Sequence, residues 1–122
     1  EFEARLTAVV PQAVVIGRDA ARLPQTSCVA FVGVDRQALM LALDQAGVGC
    51  STGSACASGS SEPSPTLVAM GRPPAELHSA LRFSVGALTT AAEVVEAVER
   101  IRRVDHELRR QNERRKLPVA GR

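Results

Sequence analysis

Short apolar runs that alternate with amphipathic stretches predict an α/β fold of two layers, a small sheet with helices packed against it. The chain has 122 residues, of which 45% are hydrophobic, and this is enough for one domain with one core. None of the apolar runs is followed by the glycine fingerprint of a phosphate-binding loop. The sequence therefore predicts one α/β domain without such a fingerprint.

Three apolar runs in the first half of the chain have the pattern of strands. Residues 14–16 are a short run that Gly17 ends, and residues 28–32 form a second, richer run. Residues 48–50 predict a further short strand. Each run is too short for a helix, so we expect all three to belong to the sheet.

A fourth strand is predicted over residues 81–85 from strict alternation. Leu81, Phe83 and Val85 alternate there with Arg82 and Ser84. Since successive side chains of a strand point to opposite faces, the strand buries its apolar face and turns Arg82 to the other face.

The first two helices are predicted from apolar spacing. Phe2, Leu6 and Val9 recur at helical spacing, yet no capping residue precedes them, so we expect the sequence to begin inside an element. In the second helix, Asp35 can cap the N-terminus and Gly47 can adopt the left-handed conformation that ends the helix. The apolar stripe of this second helix is Leu39, Leu43 and Ala46.

Two more helices are predicted in the second half of the chain. Ser64 and Pro65 have the signature of a helix start, and a short helix over residues 66–70 follows. Thr90 and Glu93 form a capping box for a long helix. Its stripe is Val94, Val98, Ile101, Val104 and Leu108. Beyond that stripe, residues 109–116 are expected to be a charged, solvated tail.

Composition excludes several classes of function. The formal charge is only +2, and the aromatic residues are three phenylalanines, which argues against a surface that stacks nucleic-acid bases. No apolar run reaches the roughly 18 residues of a membrane span. Neither a zinc site nor a secreted disulfide framework fits the cysteine spacing. The chain is expected to be soluble and cytoplasmic, with reduced thiols and no metal.

The three cysteines have different surroundings. Residues 51–61 are a run of small residues without apolar periodicity, which predicts an exposed loop with Cys56 in its middle. A reactive cysteine has to be accessible and partly thiolate. Cys28 and Cys50 lie in predicted strands and are expected to be inert. Cys56 is therefore the candidate nucleophile.

Several segments together resemble the C-terminal part of the NifS/IscS-type cysteine desulfurases. They are Ser51 to Ser58, Glu62-Pro63-Ser64, the helix end at Met70-Gly71, His78-Ser79, Arg82 to Gly86, and Thr89-Thr90. The resemblance implies the C-terminal small domain of a fold-type I pyridoxal phosphate (PLP) enzyme, with a mostly antiparallel sheet. It implies that L-cysteine becomes L-alanine while Cys56 takes the sulfur as a persulfide, and that Arg82 holds the substrate carboxylate. Thr52 and Pro65 depart from the usual family residues, without removing a chemical group.

The resemblance also implies a PLP-binding part of the enzyme that residues 1–122 do not supply. The family holds PLP as a Schiff base on a lysine, and the single lysine here, Lys116, is expected in the charged tail. Residues 1–122 are thus interpreted as the small domain, with no cofactor-binding residue and no activity alone. Implied partners are a large PLP domain of the same protein, a second subunit in a homodimer, and a sulfur acceptor or iron–sulfur scaffold protein.

Two alternatives to a cysteine desulfurase stay open. A selenocysteine lyase or related PLP enzyme would share the fold and the arginine. A non-catalytic module that binds sulfur acceptors would share the surface without turnover. The identity of the acceptor, for iron–sulfur clusters or for thio-cofactor synthesis, is also open. His78 and Glu62 are left without a role, since local structural reasons account for each.

Overall fold

A computed structural model describes residues 1–18, 25–52, 64–86 and 89–116. Within these residues the elements alternate much as the sequence predicts. In chain order they are α1 (Phe2–Val9), β1 (Ala13–Ile16), β2 (Thr26–Phe31), α2 (Arg36–Gln45), α3 (Pro65–Ala69), α4 (Pro74–Leu77), β3 (Ala80–Ser84) and α5 (Ala91–Lys116). No helix of the described residues is both long enough and apolar enough to cross a membrane.

The strands of the described residues form one antiparallel sheet in the order β1-β2-β3. The register pairs Val15 with Val29 and Val29 with Leu81. One position along the strands, Cys28 stands opposite Arg82. The predicted fold class, a small mostly antiparallel sheet with helices packed on it, is confirmed.

One face of the sheet, the closed face, carries Val15, Val29, Phe31, Leu81 and Phe83, and its side chains are buried in the main core. Helices α1, α2 and α5 cover it with apolar side chains. These are Leu6, Leu39, Leu43, Val98 and Ile101. Burial of this kind contributes about 25 cal/mol for each square ångström of apolar surface, so the closed face stabilises most of the domain.

The other face, the open face, carries Ile16, Cys28, Ala30, Ala80 and Arg82. A smaller core lies on it, where Leu67 of α3 packs with three of these residues and with the partly buried Leu77 of α4. Both covering helices are short, so the described residues cover less of this face than of the closed face.

Helix α2 begins and ends as predicted. The Asp35 carboxylate accepts a hydrogen bond from the backbone N–H of Ala38 at 3.0 Å. Gly47 has φ +83°, the left-handed conformation that glycine adopts without strain. For α5, the N–H of Glu93 donates to the Thr90 hydroxyl at 3.1 Å, so the predicted cap is confirmed.

Two predictions about strands are wrong. Residues 48–50 are not a strand, because the N–H of Val48 donates to Leu43 O at 2.8 Å and closes the end of α2 instead of joining the sheet. Strand β3 ends at Ser84, so Val85 does not extend the buried alternation. Val85 makes one backbone hydrogen bond to Gln25 at the start of β2 and stays 37% exposed.

The apolar stripe of α1 also differs from the prediction. Val9 is 42% exposed, whereas Val10 is 1% exposed. The buried set is Leu6 and Val10, with Phe2 partly buried beside it, a spacing of four residues that keeps one side of the helix toward the closed face.

The expected tail at residues 109–116 is helix, because α5 continues through Lys116. Its solvation is confirmed for Arg110, Arg114 and Arg115, which are exposed, but not for Arg109. Arg109 pairs with the buried Asp105 at 2.9 Å and donates to Val32 O at 2.6 Å. Asn112 donates to Gly33 O at 3.4 Å. These contacts attach the end of α5 to the turn after β2, which the charge pattern alone did not indicate.

Candidate functional site

Arg82 is the central residue of β3, with its side chain exposed on the open face as the alternation predicts. Its neighbours Leu81 and Phe83 are buried on the closed face and fix the orientation of the strand. Among residues 1–18, 25–52, 64–86 and 89–116, no carboxylate lies within ion-pair distance of its guanidinium. A planar guanidinium in this position is suited to bind a carboxylate with two parallel hydrogen bonds.

Ser51 is attached to Arg82 through the backbone. The N–H of Ser51 donates to Arg82 O at 3.0 Å, and the N–H of Arg82 donates to Ser51 O at 2.6 Å. Two reciprocal bonds of this kind hold the two Cα atoms about 5.5 Å apart. Thr52, the next residue, is only 4% exposed. The chain therefore enters residues 53–63 directly beside the arginine.

The chain leaves that segment at Ser64, which is 6% exposed and occupies the N-cap position of α3. The Ser64 side chain makes no capping hydrogen bond with a described residue, so the helix start rests on Pro65 and on packing. Leu67 then packs in the smaller core with Ile16 and Ala80. One end of the cysteine-bearing segment is thus bound to the edge of the sheet at β3, and the other leads into the helix that packs on the open face.

Cys56, the predicted nucleophile, lies outside the described residues. In the sequence it follows Ser51, the bridge partner of Arg82, by five positions.

The two described thiols have the character of unreactive cysteines. Burial raises the pKa of Cys50 to about 11, with a smaller contribution from the charge of Asp44. Burial also raises the pKa of Cys28, while the positive charge of Arg82 acts in the opposite direction. Since the thiolate is the nucleophile, neither cysteine is prepared for attack near neutral pH.

His78 and Glu62 gain no role in the site. His78 is exposed at the end of α4, and its backbone carbonyl accepts a hydrogen bond from the N–H of Arg36 at 3.0 Å. Glu62 lies outside the described residues. In the part of the chain that the structure describes, no group of three histidine, cysteine or acidic side chains could hold a metal ion.

The single lysine of the chain, Lys116, is the last residue of α5, and that helix packs on the closed face through Val98 and Ile101. Arg82 lies on the open face. The described neighbours of Arg82 thus include no lysine that could form a Schiff base with PLP, and no step of a reaction is assigned to PLP on these residues.

Sequence reasoning missed two parts of this arrangement. It did not indicate the backbone bridge between Ser51 and Arg82, because hydrogen bonds between distant backbone groups leave no residue pattern. It also did not bring Cys28 next to Arg82, although both were singled out. Alternation gives the face of each side chain, but the register between β2 and β3 decides which residues are neighbours.

With this geometry in place, comparison with known proteins identifies the class. The sequence model of the aminotransferase class-V family matches residues 2–97. The chain belongs to the aminotransferase class-V family.

Relatives within that family are more specific. A cysteine desulfurase of Cereibacter sphaeroides is 46% identical over 98 residues, which are 80% of this chain and 25% of that protein. The cysteine desulfurase NifS of Azotobacter vinelandii is 38% identical over 109 residues, 89% of this chain and 27% of that protein. The resemblance drawn from the cysteine and arginine segments is confirmed. The chain spans about a quarter of the length of the curated relatives it matches.

Solved structures support the fold. A NifS-like protein from Rickettsia africae superposes with a TM-score of 0.65 at 24% identity, over 88% of this chain and 26% of that chain. Another NifS-like protein superposes with a TM-score of 0.71 at 23% identity, over 88% and 27%. At these identities the likeness establishes the fold and leaves the chemistry to the site.

Proposed function

We propose that residues 1–122 are the sulfur-accepting small domain of a PLP-dependent cysteine desulfurase. The net reaction is L-cysteine plus an enzyme thiol giving L-alanine plus an enzyme persulfide. A sulfur–sulfur bond forms between the enzyme and the substrate sulfur while the carbon–sulfur bond of the substrate breaks. The substrate Cβ gains one proton, which balances the proton that the enzyme thiol loses. The relatives named cysteine desulfurase support this class.

The observation that carries the proposal is the reciprocal backbone bridge between Ser51 and Arg82. A desulfurase must bind the carboxylate of cysteine and also bring a nucleophile to its sulfur. These two groups are close together because the substrate is one small amino acid. Because of this bridge, the segment that contains Cys56 follows directly after the residue paired with Arg82. Effective catalysis of this kind depends on such proximity, because orientation removes much of the entropic cost of the encounter.

Arg82 is proposed to bind the substrate carboxylate. Its guanidinium is exposed, it lacks a carboxylate partner among the described residues, and it extends from a strand whose closed-face side chains are fully buried. A rigid strand holds the base of the side chain, and two parallel hydrogen bonds would then orient the substrate.

Cys56 is proposed to attack the substrate sulfur and to carry the persulfide to an acceptor. The segment 53–61 is made only of glycine, serine, alanine and this cysteine, so no bulky side chain of its own obstructs the thiol. The raised pKa values of Cys28 and Cys50 support the choice of Cys56, because the other two thiols are poor nucleophiles.

The remaining components are proposed to lie elsewhere in the enzyme. PLP would be bound by a large domain, since this chain spans about a quarter of the length of its curated relatives, and a homodimer is the expected assembly. The persulfide would pass to an acceptor or iron–sulfur scaffold protein in the cytoplasm. The 122 residues alone should therefore release no alanine from cysteine.

The test compares Cys56→Ser with Cys50→Ala in the complete enzyme. Cys56→Ser should bind PLP normally but lower alanine formation by about a hundredfold or more, because the nucleophile is absent. Mass spectrometry after alkylation should find the additional sulfur on Cys56 in the parent enzyme. Cys50→Ala should retain activity and persulfide.

Two results would overturn the proposal. One is normal alanine formation by Cys56→Ser, and the other is persulfide sulfur located on Cys28 or Cys50. Assay with selenocysteine in parallel separates a desulfurase from a lyase specific for selenium, since only the latter would leave cysteine unreacted.

A further inference from the structure

The sheet register forms a row of neighbours across the open face. Ile16 stands opposite Cys28, Cys28 stands opposite Arg82, and Ser51 stands opposite Arg82 on the far side. Directly opposed residues of antiparallel strands point to the same face, with Cβ atoms about 4.5–5.5 Å apart. Cys28 and Ser51 are therefore the two immediate cross-strand neighbours of the arginine.

The space around Arg82 is bordered by small side chains. Cys28 and Ser51 are small, and the adjacent row on the same face is Ala30 opposite Ala80, both fully buried. Cys28 is only partly buried and packs against the smaller core, so its thiol lies between the covered part of the open face and the exposed guanidinium.

Charge links the two side chains as well. The positive charge of Arg82 lowers the pKa of Cys28, against the larger opposite effect of burial. An interaction of this kind requires that the guanidinium and the thiol be close, which agrees with the register.

We propose that Cys28 determines the affinity of the Arg82 site for a carboxylate, because a larger side chain directly opposite Arg82 in the sheet would crowd the guanidinium that receives that group. The inference rests on the proposed function of Arg82. Cys28 acts here as a positioning residue through Arg82, and it takes no part in sulfur transfer. A larger side chain at this position fills the space beside the guanidinium and turns it away from the substrate.

The first experiment uses the 122-residue chain with Cys50→Ala and Cys56→Ser, so that Cys28 is the one remaining thiol. The rate of alkylation of Cys28 by iodoacetamide is measured with and without Arg82→Gln. Removal of the neighbouring charge should slow alkylation about threefold, the effect expected of one charge at this distance in a solvated site. Arg102→Gln on α5, on the other side of the sheet, is the matched control and should leave the rate unchanged.

The second experiment measures steady-state kinetics of the complete enzyme. Cys28→Leu should raise the KM for cysteine about fivefold or more and change kcat less than about twofold, because overpacking acts on binding. Cys28→Ser, which is similar in size, should leave both constants within about twofold. Thermal unfolding of each variant verifies that the fold is retained.

The outcomes separate this inference from the proposed function. If Arg82→Ala leaves KM unchanged, the proposed role of Arg82 fails. If Arg82→Ala raises KM but a folded Cys28→Leu does not, the role of Cys28 alone fails. Should Cys28→Leu not fold, the alkylation rates still decide, because equal rates with and without Arg82→Gln would refute the juxtaposition.

Discussion

The two faces of the sheet differ in what covers them. On the closed face, Val29, Phe31 and Leu81 are 0% exposed beneath α1, α2 and α5. On the open face, α3 and α4 cover the row of Ala30 and Ala80 but leave Arg82 exposed. In β3, Leu81 and Phe83 therefore stabilise the fold through the closed face, whereas Arg82 between them belongs to the candidate site.

The difference follows from the lengths of the covering helices. Helix α5 has 26 residues and α2 has 10, whereas α3 has 5 and α4 has 4. Two short helices bury little area, so most of the free energy of folding comes from the closed face. The open side of the sheet can then carry a charged side chain and the two residues that flank positions 53–63, Thr52 and Ser64, without loss of the core.

The sharpest test of this division compares adjacent residues of β3. Leu81→Ala should lower the free energy of unfolding by about 2–5 kcal/mol, because it leaves a cavity in the main core. Arg82→Ala should change it by less than about 0.5 kcal/mol, since the exposed side chain contributes little and the backbone bridge to Ser51 remains. Urea unfolding of the chain measures both values.

For the kinetics of the complete enzyme we expect the opposite order, with Arg82 more important than Leu81. In the complete enzyme, Arg82→Ala should raise the KM for cysteine about ten- to a hundredfold, the value of one charge-assisted carboxylate contact. PLP binding should be unchanged. A variant at Arg82 that unfolds as readily as Leu81→Ala, or that keeps the parent KM, would contradict the division between the faces.

Cys50, whose side chain packs against the main core, provides a second test of the difference between the faces. Burial raises the pKa of Cys50 from 9.0 to about 11, so near neutral pH its thiolate fraction is reduced about a hundredfold. Alkylation of Cys50 in the folded chain should be slower by about that factor than in the chain unfolded in urea at the same pH. The measurement is mass spectrometry of a Cys28→Ser, Cys56→Ser background. Equal rates would mean that this side of the sheet is open to solvent.

The smallest expected effect concerns the end of α5. Asp105 is 5% exposed and pairs with Arg109, which also donates to Val32 O. Asp105→Ala should lower the free energy of unfolding by about 1–3 kcal/mol, because it leaves a partly buried guanidinium without its carboxylate. Glu107→Ala removes an exposed pair with Arg110 and should cost less than about 0.5 kcal/mol. Equal losses would show that the end of α5 is not attached to the sheet as described.

Features that depend on local patterns could be predicted from the amino-acid sequence alone. Alternation in β3 predicted that Arg82 and Leu81 lie on opposite faces, and both do. The caps at Asp35 and Thr90 predicted the starts of α2 and α5, because capping groups bond to backbone a few residues away. The motif segments around Cys56 and Arg82 also indicated the family, which the match to the class-V aminotransferases confirms.

Contacts between residues distant in the sequence became known from the folded structure. The Ser51 bridge, the Cys28 neighbour of Arg82 and the attachment of Arg109 to Val32 join residues that are tens of positions apart. Local pattern carries no information on strand register or on which carbonyl a long side chain reaches, since these follow from the packing of whole elements. The same reason explains the wrong strand at residues 48–50, whose backbone closes α2, and the tail that is helix.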